Sequence, residues 1–124
     1  MANLNVDGNR TVPGGVYDKV KIDGVVVIDD DLECSSIDVD GTCKIEGDLI
    51  CDKVKIDGTL SVEGDMFCDK ADVDGRLTVE GDLECLIIIV DGTFTVEGDM
   101  FVDEIKGDGK YVVKGNVYSI DDEE

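Results

Sequence analysis

The chain has no tryptophan, no histidine and a single proline, and only 5% of its residues are aromatic. Without histidine it has no imidazole to act as a base or bind a metal near neutral pH. With so few rings, any core must be aliphatic. Basic residues are scarce too: 11 against 31 acidic ones, a formal net charge of −20 over 124 residues. That balance argues against nucleic acid, whose phosphates would be repelled, and against electrostatic docking on an anionic membrane. Long hydrophobic runs are also missing. The longest, Cys85 to Val90, falls far short of the ~20 residues that span a bilayer. The opening Met-Ala-Asn-Leu-Asn-Val-Asp-Gly lacks the charged and apolar regions of a signal peptide, and the five cysteines form no CxxC pair. Reduced thiols in a cytoplasm are the expectation.

What the chain does contain is one phrase repeated. Val90 to Met100 reads Val-Asp-Gly-Thr-Phe-Thr-Val-Glu-Gly-Asp-Met and recurs at Val73, Ile56 and Val39, with a looser copy from Ile22. Asp-Gly pairs begin at Asp7, Asp23, Asp40, Asp57, Asp74, Asp91 and Asp108, sixteen residues apart at first and seventeen thereafter. A second corner follows in each copy: Pro13-Gly-Gly, Asp29-Asp-Asp, Glu-Gly-Asp at Glu46, Glu63, Glu80 and Glu97, and Lys114-Gly-Asn. A weaker third corner falls at Asp18-Lys19, Asp52-Lys53 and Asp69-Lys70. The corner glycines are expected to supply the positive φ of a tight turn, with Asp30 tolerating it where glycine is missing.

Between corners apolar residues alternate with period two, as in Leu77/Val79, Leu83/Cys85 and Ile88/Val90. Period two predicts strands. A charge this high usually marks disorder, but 42% hydrophobic residues in strict register predict a folded chain. The expected fold is all-β: a single-stranded parallel β-helix of about seven coils, with 17 residues and three short strands per coil. Coils spaced ~4.8 Å apart would make a rod on the order of 34 Å long. One solenoid domain covering 1–124 is expected, with atypical end coils at 1–22 and 108–124 and a solvated acidic tail from Asp121 to Glu124.

Val-Asp-Gly followed by Glu-Gly-Asp-Leu, as at Val73 to Leu83, together with the Gly-Asp-Leu segments ending at Cys51 and Cys85, resembles the bactofilins. The likeness runs from about Asp7 to Ser119. It implies a right-handed β-helix and a bacterial cytoskeletal scaffold that polymerises without nucleotide and serves cell-envelope, shape or motility machinery. Members of that family often carry proline-rich tails and sometimes an apolar, membrane-targeting N-terminus. The minimal tails here argue against membrane contact, and the charge of −20 opposes self-assembly.

Several constellations could carry chemistry. Cys34, Cys51, Cys68 and Cys85 recur at one inward position. Parallel in-register strands hold their Cβ atoms too far apart for disulfides without distortion, and a straight file does not converge on zinc. Small buried hydrophobes are the expectation. Files of acid, such as Glu46 to Glu97 and Asp48 to Asp99, read as turn chemistry and solubility, with weak divalent binding as the alternative. A Thr-x-Thr-like file (Thr42, Thr59, Thr93 with Ser61, Thr78, Thr95) raises ice binding as a remote option, but Lys44 and Arg76 interrupt it. Left-handed-helix acyltransferases need a histidine base, and the strict spacing leaves no loop for a carboxylate pair. The chain is therefore expected to be non-enzymatic and to need no cofactor or metal.

The unusual apolar residues are expected to make contacts. Leu86, Ile87 and Ile89 occupy outward sites that are charged elsewhere, and with Phe67 and Phe101 they would form a lateral patch covered by another chain. The end coils offer Val12, Val16 and Tyr17 at one end and Tyr111, Val113, Val117 and Tyr118 at the other, at strand edges able to pair with a second copy. The alternative to a polymer is a non-polymerising module that binds through the lateral face.

Overall fold

A computed structural model describes residues 3–119, so the acidic run from Asp121 to Glu124 lies outside the described residues. Among them every element is a strand, from Leu4–Val6 to Val117–Ser119, and there is no helix. Each strand pairs in parallel with its counterpart one repeat away: Met66 with Leu83, Cys68 with Cys85, Leu77 with Phe94. The pairs build a nine-stranded and a seven-stranded sheet. The result is a β-solenoid of about seven turns, as the repeat predicts.

The register shows where the first coil is short. Leu4 pairs with Val20 and Val12 with Ile28, sixteen residues apart, whereas Gly15 pairs with Leu32, seventeen apart. The missing residue falls at Pro13-Gly14, and Gly15 opens a strand instead of closing a corner. In later coils the second and third predicted strands are fused. Leu49–Ile56 is one strand of 8 residues, while Thr42–Ile45 is a separate strand of 4. The third corner survives as a slip in the alternation: Asp52 and Lys53 are both exposed between buried Cys51 and Val54. Hydrogen bonds in this fold run along the stack, so a bend within a coil leaves the ladder intact.

The inward residues form one aliphatic cluster running the length of the stack. Val79 and Leu83 are fully buried within it. Each such Leu or Val contributes about 1.5–3 kcal/mol on leaving water.

The corner glycines have a different role from the expected one. Positive φ occurs only at Gly8, Gly15 and Gly107 among the described residues, and at no non-glycine residue. Asp30 therefore needs no left-handed tolerance; its Oδ1 accepts the Asp31 N–H at 2.8 Å. Glycine is needed instead because coils approach closely. A Cβ on Gly58 would collide with the Gly41 carbonyl oxygen in the coil before it. The aspartates immediately before the first buried residue of each long strand also act between coils. The Asp65 N–H donates to Asp48 Oδ1 and the Asp82 N–H to Asp65 Oδ1, both at 2.8 Å. This ladder starts at Asp31 and ends at the Asn116 N–H. Each carboxylate thus satisfies a backbone donor that the corner would otherwise leave unpaired.

Candidate assembly surfaces

The inward thiols behave as packing groups. Cys34 Sγ lies 3.3 Å from Cys51 Sγ, and Cys68 Sγ lies 3.1 Å from Cys85 Sγ; all remain free thiols. Cys51 and Cys85 also donate to the carbonyls of Lys53 and Ile87. Burial pushes the Cys43 thiol up to about 12. The neighbouring thiol, then burial, raises Cys34 and Cys68. Raised in this way, the buried Cys34, Cys43 and Cys68 thiols stay protonated and are poor nucleophiles and poor metal ligands, while the hydrogen bond from Cys34 holds the Cys51 thiol below its ordinary value.

Two acidic clusters gather at the first corner: Asp38, Asp40 and Asp57, and Asp72, Asp74 and Asp91, with one carboxylate oxygen from each lying within 4.8 Å of the others. Three oxygens are only part of the six to eight that calcium takes. The Asp72 charge, then desolvation and the carboxyls of Asp91 and Asp57, hold Asp74 above the ordinary carboxylate value.

The predicted lateral patch is divided. Phe67 and Leu86 are exposed and line a shallow groove of ≈ 230 Å³ with Ile50, Asp52, Asp69 and Glu84. Ile87 and Ile89 stand beyond the third corner, paired with Lys70 and Asp72, so they belong to the next side of the coil. Both are half-buried. Phe101 lies beside Glu84 in register and stacks on Tyr118, ring centroids 5.0 Å apart. Ile50 belongs with Phe67, and its place one repeat earlier in the same outward file is the signal that marks it.

The two ends differ. At the N-terminal end Val12 is an inward core residue, 5% exposed, and Tyr17 packs partly against the core. Val16 is exposed there. Asn3 Oδ1 accepts the Lys19 N–H, which partly closes this end. At the C-terminal end the core stays open among the described residues. Tyr111 is 45% exposed although its counterpart Phe94, on which it stacks at 5.1 Å, is 0% exposed. Val117 is 52% exposed where its partner Met100 is 0% exposed. Val112 and Tyr118 are exposed beside them, and Val113 is half-buried. The edge strands Lys110–Val113 and Val117–Ser119 have no further neighbour among the described residues.

The coils stack in register and leave strand edges without a further neighbour among the described residues. The family model described as "Bactofilin: Polymer-forming cytoskeletal" matches residues 2–118. The chain belongs to the bactofilin family. No curated protein and no solved structure matches it. As a bactofilin it falls in a structural, cytoskeletal family of polymer-forming proteins. No helix among the described residues is long and apolar enough to cross a membrane.

Proposed function

We propose that this bactofilin is a non-enzymatic cytoplasmic scaffold whose rods join end to end without nucleotide, and that its polymers carry cell-envelope, shape or motility proteins. The observation that carries the reading is the open C-terminal end: residues that are buried one coil earlier stand exposed at Tyr111 and Val117. An added coil would cover them and pair their edge strand, as every internal coil does. Tyr111, Val117 and Tyr118 would form one side of the joint. Val16 and Tyr17 would contribute from the other end, with Val12 serving as the floor beneath them. The Phe67, Leu86 and Phe101 side remains available to clients.

The groove at Ile50, Phe67 and Leu86 supports a second reading, a binding module that does not polymerise. Electron micrographs of purified protein across salt concentrations separate the two. Rods carrying −20 each repel, and salt screens that repulsion over about 8 Å at physiological strength. Polymers should therefore lengthen with salt, and Tyr111→Arg should shorten them while circular dichroism stays that of the parent. Discrete particles at every salt concentration, or polymers unaffected by Tyr111→Arg, would refute end-to-end joining through this end.

A further inference from the structure

The sulfurs of the cysteine file are not evenly spaced. Register sets Cys34, Cys51, Cys68 and Cys85 one above another in consecutive coils. A straight file would hold each sulfur at the strand spacing of ~4.8 Å from the next. Instead they gather in twos. Cys34 Sγ lies 3.3 Å from Cys51 Sγ and Cys68 Sγ lies 3.1 Å from Cys85 Sγ, the earlier thiol donating to the later one each time. No such bond joins Cys51 to Cys68 among the described residues. The fifth thiol, Cys43, stands in the other sheet between Val26 and Leu60, with no sulfur beside it in register.

Each pair is close to the geometry of a bridge. In-register neighbours have Cα atoms ~4.8 Å apart, inside the span of about 4.4–6.8 Å that a disulfide accepts. Their Cβ atoms must close by about 1 Å to reach the ~3.8 Å of a disulfide. Each pair also has a way out to solvent. Cys51 and Cys68 line the groove with Ile50, Phe67 and Leu86, and Cys34 lines a smaller hollow of ≈ 140 Å³ beside Val16 and Tyr17. Both spaces admit a molecule little larger than water. Cys43 lines neither.

We infer that Cys34 with Cys51, and Cys68 with Cys85, are two oxidant-responsive staples that hydrogen peroxide closes into disulfides between neighbouring coils. The inference stands whether or not the rods join end to end. Cys51 takes the first step at its pair. The hydrogen bond from Cys34 favours its thiolate, and the thiolate is the nucleophile. It attacks one peroxide oxygen: an S–O bond forms, the O–O bond breaks, and the departing hydroxide takes up the proton that Cys51 released. The Cys34 sulfur then attacks the sulfenic sulfur of Cys51. The S–S bond forms, the S–O bond breaks, and hydroxide leaves as water with the Cys34 proton. Two thiols give up two electrons and one peroxide becomes two waters. Cys68 and Cys85 follow the same course more slowly. Cys85 is fully buried, and its neighbour and burial keep Cys68, which faces the groove, protonated.

The effect of a bridge follows from the stack. A solenoid coil contacts only its neighbours, so the rod can open between any two of them. A bridge between residues 17 apart closes a loop in the unfolded chain and opposes that opening. The rung between Cys51 and Cys68 stays unspanned, so the staples hold four coils as two pairs. Because closure pulls the Cβ atoms together against the ladder, a dithiol reopens the bridge readily.

The test uses the full chain, reduced, freed of reductant and treated with a few equivalents of hydrogen peroxide. Iodoacetamide in urea then blocks the remaining thiols. Trypsin with endoproteinase Asp-N cuts between all five cysteines, and the peptides are weighed without reduction. The Cys34–Cys51 link should appear first and the Cys68–Cys85 link later, with Cys43 alkylated. The bridged protein should melt several degrees higher, and dithiothreitol should return both mass and Tm to those of the reduced chain. Val102 holds the next place in the file, so valine packs there. Cys51→Val should therefore keep the parental circular dichroism, lose the first link and its share of the Tm rise, and still form the second link. Cys34→Val should behave alike, which keeps the test decisive if one variant does not fold. Five free thiols after a treatment that oxidises free cysteine would overturn the inference. So would a Cys51–Cys68 link as abundant as the other two, dimers on a non-reducing gel in place of these links, or a bridged protein that melts with the reduced one. Oxidation of Cys43 at the same rate would also overturn it, because the chain would then be reacting unfolded.

Discussion

The aspartate ladder makes a quantitative prediction. Asp65 Oδ1 accepts the Asp82 N–H at 2.8 Å and lies over Gly81, where a Cβ would meet it. Asp65→Ala removes a charge-assisted bond between two coils. Such bonds contribute about 1.5–3 kcal/mol net. The corner is open enough for water to reach the bereft N–H, and losing one charge from an acidic file gives something back, so the lower end, about 1.5 kcal/mol, is expected. For a chain between the small and mid-sized classes this lowers Tm by roughly 6 °C. Asp65→Asn keeps the acceptor but not the charge and should lose about half as much. Glu80→Ala is the control: an exposed acid in the next coil whose side chain makes no hydrogen bond or ion pair among the described residues. Thermal melts by circular dichroism, backed by urea midpoints, should rank Asp65→Ala below Asp65→Asn, and both below Glu80→Ala. If Asp65→Ala and Glu80→Ala melted together, the carboxylates would be solubilising charges and the ladder would hold nothing.

Four further outcomes follow from the same structure. Gly58→Ala drives a Cβ into the Gly41 carbonyl, which is backbone and cannot swing aside, so a loss of about 1–3 kcal/mol in urea denaturation is expected. Gly8→Ala, with φ +88 and no atom within 4 Å, should lose only the roughly 1–2 kcal/mol of left-handed strain. Leu83→Asp places an unpaired carboxylate in the aliphatic core at a fully buried site and should cost several kcal/mol, on the order of 4 or more; parental melting would overturn the inward register. Asp74 has a raised folded-state pKa, so the native state holds its proton more tightly than the unfolded chain and loses stability as pH rises through the folded value. Asp74→Asn should therefore raise Tm at pH 7, with the gain shrinking as pH falls toward 3.8, and a gain that is flat with pH would refute the cause.

Sequence alone determined the repeat, the strand class, the inward register and the family resemblance. All four rest on local alternation and on copies that repeat every seventeen residues, so one coil read correctly reads them all. Val79, Leu83 and Ile88 are buried where the alternation puts them. Only the tertiary structure decided what passes between coils. A glycine at a corner reads as a turn residue until the Gly41 carbonyl appears beneath Gly58. Asp65 reads as bonding its own turn until its partner proves to be Asp82, 17 residues on. The third corner reads as a break, yet the strand continues through it, because the ladder bonds run along the stack and not around the coil. Leu86 and Ile87 are neighbours in sequence but face different sides, because the chain bends between them. The difference between the ends was hidden for the same reason: burial of Val12 and exposure of Tyr111 depend on whether another coil lies above or below, which no single repeat records.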